Sequence, residues 1–371
     1  MRIESMNKIF RSFRVLATAL IALTACLAVS APARAQHGDT TPVLSAYLKM
    51  VFAGDTSAAA ELFASEPEDR GSKMLADRFE RRFVERNDGL DLTRLESPAV
   101  REITDLFETY WLDALMQEAP LDVLEARLKG RLDDILIEHG FAGALEDEDA
   151  LFENVKAFIR REGYFAQSGR TPPLLDLMIW ISNDTVGEDV ELTDGTYQVE
   201  LNYIDDFVSY GWSNFATFGM ASTAGWAKKD GLYCICRYYD LDSERFKLSF
   251  LKHEARHYAD FELYPELQPA DLEYRGKLTE LAYSEERTYP LLEQFAKAAN
   301  RVENAPHPLA NWYVIEGLSE LLLDGNWPAD ASSWESIPKE QIRQAARRLL
   351  EYHDDKLADL GPSTTKGIVN L

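Results

Sequence analysis

The amino-acid sequence predicts an α+β fold, mostly helical, with a small central β-sheet ahead of the helix that carries its most distinctive residues. Three observations lead there. Apolar residues recur at helical spacing from about Thr40 to Glu162, strand-like runs follow Arg170-Thr171-Pro172-Pro173, and helical spacing returns from Ser243 onward. With 371 residues, 46% of them hydrophobic and 27% charged, the chain can bury one large core or two smaller ones, and its composition suggests neither disorder nor a fibrous repeat.

The N-terminal segment is expected to be removed. Arg2, Lys8, Arg11 and Arg14 stand against a single acid, Glu4, before an uncharged run from Val15 to Ser30 and the small-x-small sequence Ala33-Arg34-Ala35. These are the three parts of a secretory signal peptide, and the run is shorter than the roughly 20 residues that cross a bilayer. Cleavage after Ala35 makes residues 1–35 the signal and sends the protein to the periplasm or the medium. Leu23-Thr24-Ala25-Cys26 resembles a bacterial lipobox and offers the alternative of a lipid anchor at Cys26, although Leu27-Ala28-Val29 continues apolar where lipoproteins turn polar. No later stretch is long and apolar enough to span a membrane.

Losing residues 1–35 takes away five basic residues and one acid, so the formal charge of −24 becomes −28. Such an acidic protein is ill suited to nucleic acid or to anionic lipid surfaces, and a recruited substrate is expected to be neutral or basic. Of the three cysteines, Cys234 and Cys236 remain. Two apart on a strand they share a face, where a bridge is strained, so they read as buried free thiols rather than a disulfide scaffold.

Residues 36–165 form the helical N-terminal region. Val43, Leu44, Tyr47, Leu48 and Val51 follow helical spacing, as do Val100, Ile103, Phe107, Tyr110, Trp111 and Leu115, and a third helix is expected from Leu121 to His139 with Pro120 near its start. Residues 166–371 form the second region. Leu177–Ile181 and Tyr197–Tyr203 read as strands, a Gly-, Ser- and aromatic-rich stretch from Gly211 to Lys229 follows, and Gly231–Tyr239 reads as another strand. Helices are expected over Ser243–Tyr264, Pro269–Ala298, Pro308–Leu323 and Pro338–Leu357.

The chemistry lies in His253-Glu254-Ala255-Arg256-His257, an HExxH sequence. Histidines four apart sit one helical turn apart on one face, close enough for two imidazoles to bind one metal ion. Glu254 lies about 100° around the helix from His253, where its carboxylate reaches a water on the metal rather than the metal itself. The ligand types favour Zn2+, although a related divalent ion suits the same residues. Phe246, Phe250, His253, His257, Phe261 and Tyr264 fall on one stripe, which puts the histidines on the buried side, where they are costly without a partner.

Residues 225–286 resemble the zinc metallopeptidases. Metzincins are excluded, because Leu263 stands where their third histidine belongs and Asp260 where their glycine does. The pattern is similar to gluzincins, which implies a zincin-like metal-site domain, a peptide or protein substrate, Glu254 as general base, and a glutamate on the following helix as third ligand. Tyr264-Pro265-Glu266-Leu267-Gln268-Pro269 breaks the first helix, and the next carries Glu273 and Glu280 on one face with Gly276 between them, letting the helices approach closely. Glu273 is the expected ligand, and Glu280 either orients a histidine or is the alternative ligand. Fewer residues separate the second histidine from the glutamate here than in well-known gluzincins. The resemblance also implies an edge strand that pairs with the substrate backbone, either Gly231–Tyr239 or Ser222-Thr223-Ala224-Gly225. A donor to the tetrahedral oxyanion is sought in His307, between Pro306 and Pro308, or in Tyr283 or Tyr313.

His37, His139 and His353 lack metal-ligand neighbours and read as surface or capping residues. Ser213 and Ser222 have no Gly-x-Ser-x-Gly context, and no phosphate-binding glycine loop occurs. The competing reading is a non-catalytic exported helical binding protein with a structural or accidental HExxH.

Overall fold

The computed structural model describes residues 42–64, 69–301, 305–327, 332–365 and 367, and the backbone of residues 27–28. The expected cut after Ala35, Cys26 and His37 lie outside them. Leu27–Ala28 (β1) pairs antiparallel with Ser222–Thr223.

The N-terminal region is helical, in α1 (Pro42–Phe52), α2 (Ala59–Ala64), α3 (Arg70–Phe79, continued by a π-helical turn, Glu80–Val84), α4 (Pro98–Leu115), α5 (Leu121–Glu138) and α6 (Glu148–Arg161). Asp69 and Asp147 cap α3 and α6 by accepting the N–H groups of Ser72 and Ala150. Tyr47, Phe79, Phe83, Phe107 and Trp111 meet in a core that also takes in Leu175, Leu177, Ile179, Trp212 and Phe215 from the next region. Trp111 Nε1 donates to the Leu175 carbonyl at 2.9 Å. The change of secondary structure near residue 165 therefore falls within one shared core.

The sheet comprises β2 (Phe165–Thr171), β3 (Leu174–Leu192), β4 (Gly195–Tyr210), β6 (Gly225–Lys228) and β7 (Gly231–Ile235), with α7 (Trp212–Ala216) and β5 (Ser222–Thr223) in the connection after β4. Its order is β2-β3-β4-β7-β6, and only β4 and β7 run parallel. The two expected strands around Ile179 and Leu201 lie within one long hairpin, in which Leu192 pairs with Gly195 across a two-residue turn. The expected strand Gly231–Tyr239 stops at Ile235. Its partner β6 begins at Gly225, opposite Cys234, and Cys236–Tyr238 form a 3-10 turn. Cys234 is buried and Cys236 only partly so, and both are free.

The two faces of the sheet carry different cores. Val190, Leu192, Val199, Leu201, Leu232 and Cys234 pack against Phe246, Phe250, Ala255 and Ala259. Met178, Trp180, Ile204, Phe207, Trp226 and Ile235 form the opposite face. On β7, alternation accounts for this division, with Leu232 and Cys234 on one face and Ile235 on the other.

The rest is helical: α8 (Glu244–Phe246), a π-helical segment (Lys247–Lys252), α9 (His253–Leu263), α10 (Pro269–Tyr283), α11 (Thr288–Ala298), α12 (Pro306–Leu322), α13 (Ser332–Glu335) and α14 (Lys339–Leu360). The single helix expected over Pro269–Ala298 is two. The Glu244 carboxylate accepts the N–H groups of Glu285, Glu286 and Arg287, and so caps a break there. Helix α10 is buried on all sides from Ala270 to Ala282 and packs against α9, α12 and α14. No helix among the described residues is long and apolar enough to cross a membrane.

Candidate metal centre

The π-helical segment runs straight into α9, and Phe250 anchors it to the sheet. This turns His253 and His257 inward, and both are fully buried. Their rings stand edge to face with centroids 4.6 Å apart. Helix α10 brings Glu273 up to them: Glu273 Oε2 lies 3.6 Å from His253 Nε2, and Oε1 lies 3.4 Å from His257 Nε2. The close crossing depends on Gly276, where a Cβ would stand 2.7 Å from His253 Nε2.

The potential ligand atoms of His253, His257 and Glu273 all lie within 4.8 Å of one another. The two histidine–glutamate separations exceed hydrogen-bond length but match the spacing of about 3.3 Å between ligands placed tetrahedrally around one zinc ion. His253 Nε2, His257 Nε2, Glu273 Oε1 and Glu254 Oε2 are buried without a hydrogen-bond partner among the described residues. Such atoms are rare and costly unless something polar stands among them. The donor set, two imidazoles and a carboxylate, suits a divalent cation of the zinc type with one coordination position left open.

Glu280 completes the arrangement. Its Oε1 lies 2.8 Å from His253 Nδ1, and its other oxygen accepts the Ser249 hydroxyl. A proton held on Nδ1 leaves the Nε2 lone pair directed at Glu273, the geometry that prepares a histidine for a metal. Burial opposes a charge on His253, but Glu273 and Glu280 outweigh it and push the imidazole up to about 10. A metal ion competes with that proton for the same lone pair. Burial alone would raise Glu273, but His307 and the two ligand histidines hold it well below the usual carboxylate range. Glu254 is displaced upward by burial, against the pull of His257 and His253. It also accepts the N–H of Ala227 on β6.

His307, one residue ahead of the helix expected from Pro308, lies in the first turn of α12, and its Nδ1 stands 2.7 Å from Glu273 Oε2. It is 26% exposed and is not part of the three-residue ligand group. Tyr283 packs under Lys252, and Tyr313 packs on the C-terminal core. Lys277, one turn beyond Glu273, places its ammonium 3.5 Å from Glu273 Oε2. The spacing of four from Glu273 was the available sequence signal for it, and Ser249, four residues before His253, had the same signal.

Two expectations are corrected. His353, read as a surface or capping residue, is fully buried, with Nε2 3.2 Å from Asp271 Oδ1, because α14 closes over α10. The Gly231–Tyr239 segment is not an edge: β7 lies between β4 and β6, and the edge nearest α9 is β6. His139 is exposed at the end of α5, with Nδ1 2.8 Å from the Ile135 carbonyl, as a capping residue would be.

Behind the site a buried ion network fastens the helices together. Arg256 reaches Asp194 and Asp260, each at 2.8 Å, and Arg275 reaches Asp260 at 2.8 Å and Asp354 at 2.7 Å. It ties α9 to α10, α14 and the β3–β4 turn. No protein-family model, curated protein or solved structure matches the chain.

Proposed function

We propose that the chain is an exported zinc-dependent hydrolase, a metallopeptidase of gluzincin type that cleaves peptide bonds. The observation that carries this reading is the convergence of His253 Nε2, His257 Nε2 and Glu273 on one point, with Glu254 beside them and no partner for its Oε2 among the described residues. Zinc held there would supply Lewis acidity, polarising a carbonyl and lowering the pKa of a water towards ~7.

The protein groups do the rest. Glu254, its proton affinity raised by burial, takes the proton of the attacking water and passes it to the leaving amine. Glu280 keeps His253 in the required tautomer. His307, itself 26% exposed beside the buried Glu273, is the residue offered as donor to an oxyanion. Sheet edge β6 lies against α9, and Ala227 on it donates its N–H to Glu254. The test is hydrolysis of a peptide library by the zinc-loaded chain and by Glu254→Gln. Activity in the first alone supports the reading; cleavage by neither, or equally by both, rejects it.

The nearness of His307 to Glu273 favours one alternative, a closed structural site with His307 as fourth ligand in a non-catalytic binding protein. His307→Ala separates the two. The hydrolase keeps its zinc and loses turnover, whereas the structural site loses zinc and a large part of its melting temperature.

A further inference from the structure

On the side of the sheet away from α9, a cleft of about 440 Å³ opens between α6 and strands β2, β3, β4, β6 and β7. The size is that of a small-molecule site. Its charge is opposite to that of the rest of the molecule. Lys156 and Arg160 from α6 and Lys228 from β6 line it, with Glu153 as the acid among the lining residues, in a chain whose formal net charge is −24.

Lys156 is ion-paired with Glu153 at 2.5 Å, whereas the other two cations are held by rings and an amide. Arg160 lies over Phe165 at 3.8 Å and makes no ion pair among the described residues. Lys228 lies 5.1 Å from the Tyr233 ring centroid and donates to the Gln167 side-chain oxygen, which engages one of its three N–H groups. Burial, then Lys156, then against them Asp230 and Glu153, leave the Lys228 ammonium depressed to about 8. Cations crowded in this way are relieved by an anion placed between them.

The walls suit a flat ring. Trp180 is stacked on Phe165 at 6.0 Å, and Tyr233 on Trp226 at 5.3 Å, so the rings that line the cleft are rigidly held. Asn183, Thr185 and Asn202 are hydrogen-bonded to one another along the same face and add a polar edge.

We propose that this cleft binds a small organic anion, a flat ring bearing a phosphate or carboxylate group, with Lys156, Arg160 and Lys228 on the anion and Trp180 and Tyr233 against the ring. The site is independent of the metal centre, from which the sheet separates it, and it gives the helical N-terminal region a part in ligand binding through α6.

The test is calorimetric titration of the mature chain with phenyl phosphate, benzoate, inorganic phosphate and benzyl alcohol. At least one aryl anion is expected to saturate a single site at least tenfold more tightly than inorganic phosphate, and benzyl alcohol to give no saturable heat. The stronger of phenyl phosphate and benzoate identifies the anionic group. Lys156→Glu and Arg160→Glu, both on the accessible side of α6, are expected to weaken binding at least tenfold with melting temperature retained, and His257→Ala to leave it unchanged. Absence of saturable binding by both aryl anions, or full binding in both charge reversals, would overturn the proposal. Loss of binding in His257→Ala would place the anion at the metal centre and overturn it equally.

Discussion

Glu280 Oε1 lies 2.8 Å from His253 Nδ1, so a residue of α10 decides which nitrogen of an α9 histidine faces Glu273. Glu280→Gln replaces a charged acceptor by an amide that presents either its oxygen or its N–H. Zinc affinity is expected to fall about 10–100-fold, as when a hydrogen-bond partner of a metal-bound histidine is changed. Competition with a chromogenic chelator measures it; an unchanged affinity would show that Glu280 does not orient the ligand.

Gly276→Ala forces a methyl group to within 2.7 Å of His253 Nε2. Neither helix has room to retreat, since α10 is buried throughout. A loss of about 1–3 kcal/mol in denaturant unfolding, together with weakened metal binding, is expected. A variant with wild-type stability and zinc content would mean that the two helices do not cross this closely.

Arg275→Met leaves Asp260 with Arg256 alone and removes the contact to Asp354. The Arg275–Asp260 pair is buried, whereas Asp354 is 34% exposed, so the loss is expected to reach about 3 kcal/mol, the lower end for a broken buried pair. Unfolding in urea measures the loss, and a change below about 1 kcal/mol would show the network to be dispensable.

Asp176 gives the protein a pH-dependent stability that does not involve the metal centre. Burial pushes its carboxyl up to about 6, against the N–H groups of Trp212 and Leu177 and the Thr171 side chain, which favour the charged form. A folded-state value above the unfolded value of about 3.9 means that the native protein holds the proton more tightly. Stability from this group is therefore fully present below about pH 4 and is lost as pH rises through about 6. By neutral pH the loss amounts to about 3 kcal/mol. Asp176→Asn does not titrate, so its stability relative to wild type is expected to rise between pH 4 and 7 and then level off. A difference that stays flat across that interval would contradict the assignment. Gly211, at φ +87°, lies against this carboxylate, and a Cβ there would stand 2.6 Å from Asp176 Oδ1.

What could be read from the sequence was local. Histidines four apart, a proline that opens α10, and a glycine between two glutamates are patterns within a few turns of helix, and the structure brings these residues together as the spacing implied. Partners far apart in the chain were not legible. His353 is buried because Asp271, 82 positions away, receives it. The break after Tyr283 depends on Glu244, about 40 residues earlier, although Pro290 in the first turn of α11 was a local sign of a new helix start. The end of β7 was not legible because strand-favouring residues continue to Tyr239 after the partner strand has run out. The cleft beside α6 had no signature at all, since its cations come from two separate elements.

Metal content of the mature protein, measured by elemental analysis beside His257→Ala after purification without chelators and with added zinc, tests the central claim most directly. One zinc per chain in the native protein, lost in the variant, is the result expected. Absence of metal from both would make the HExxH accidental and contradict the account.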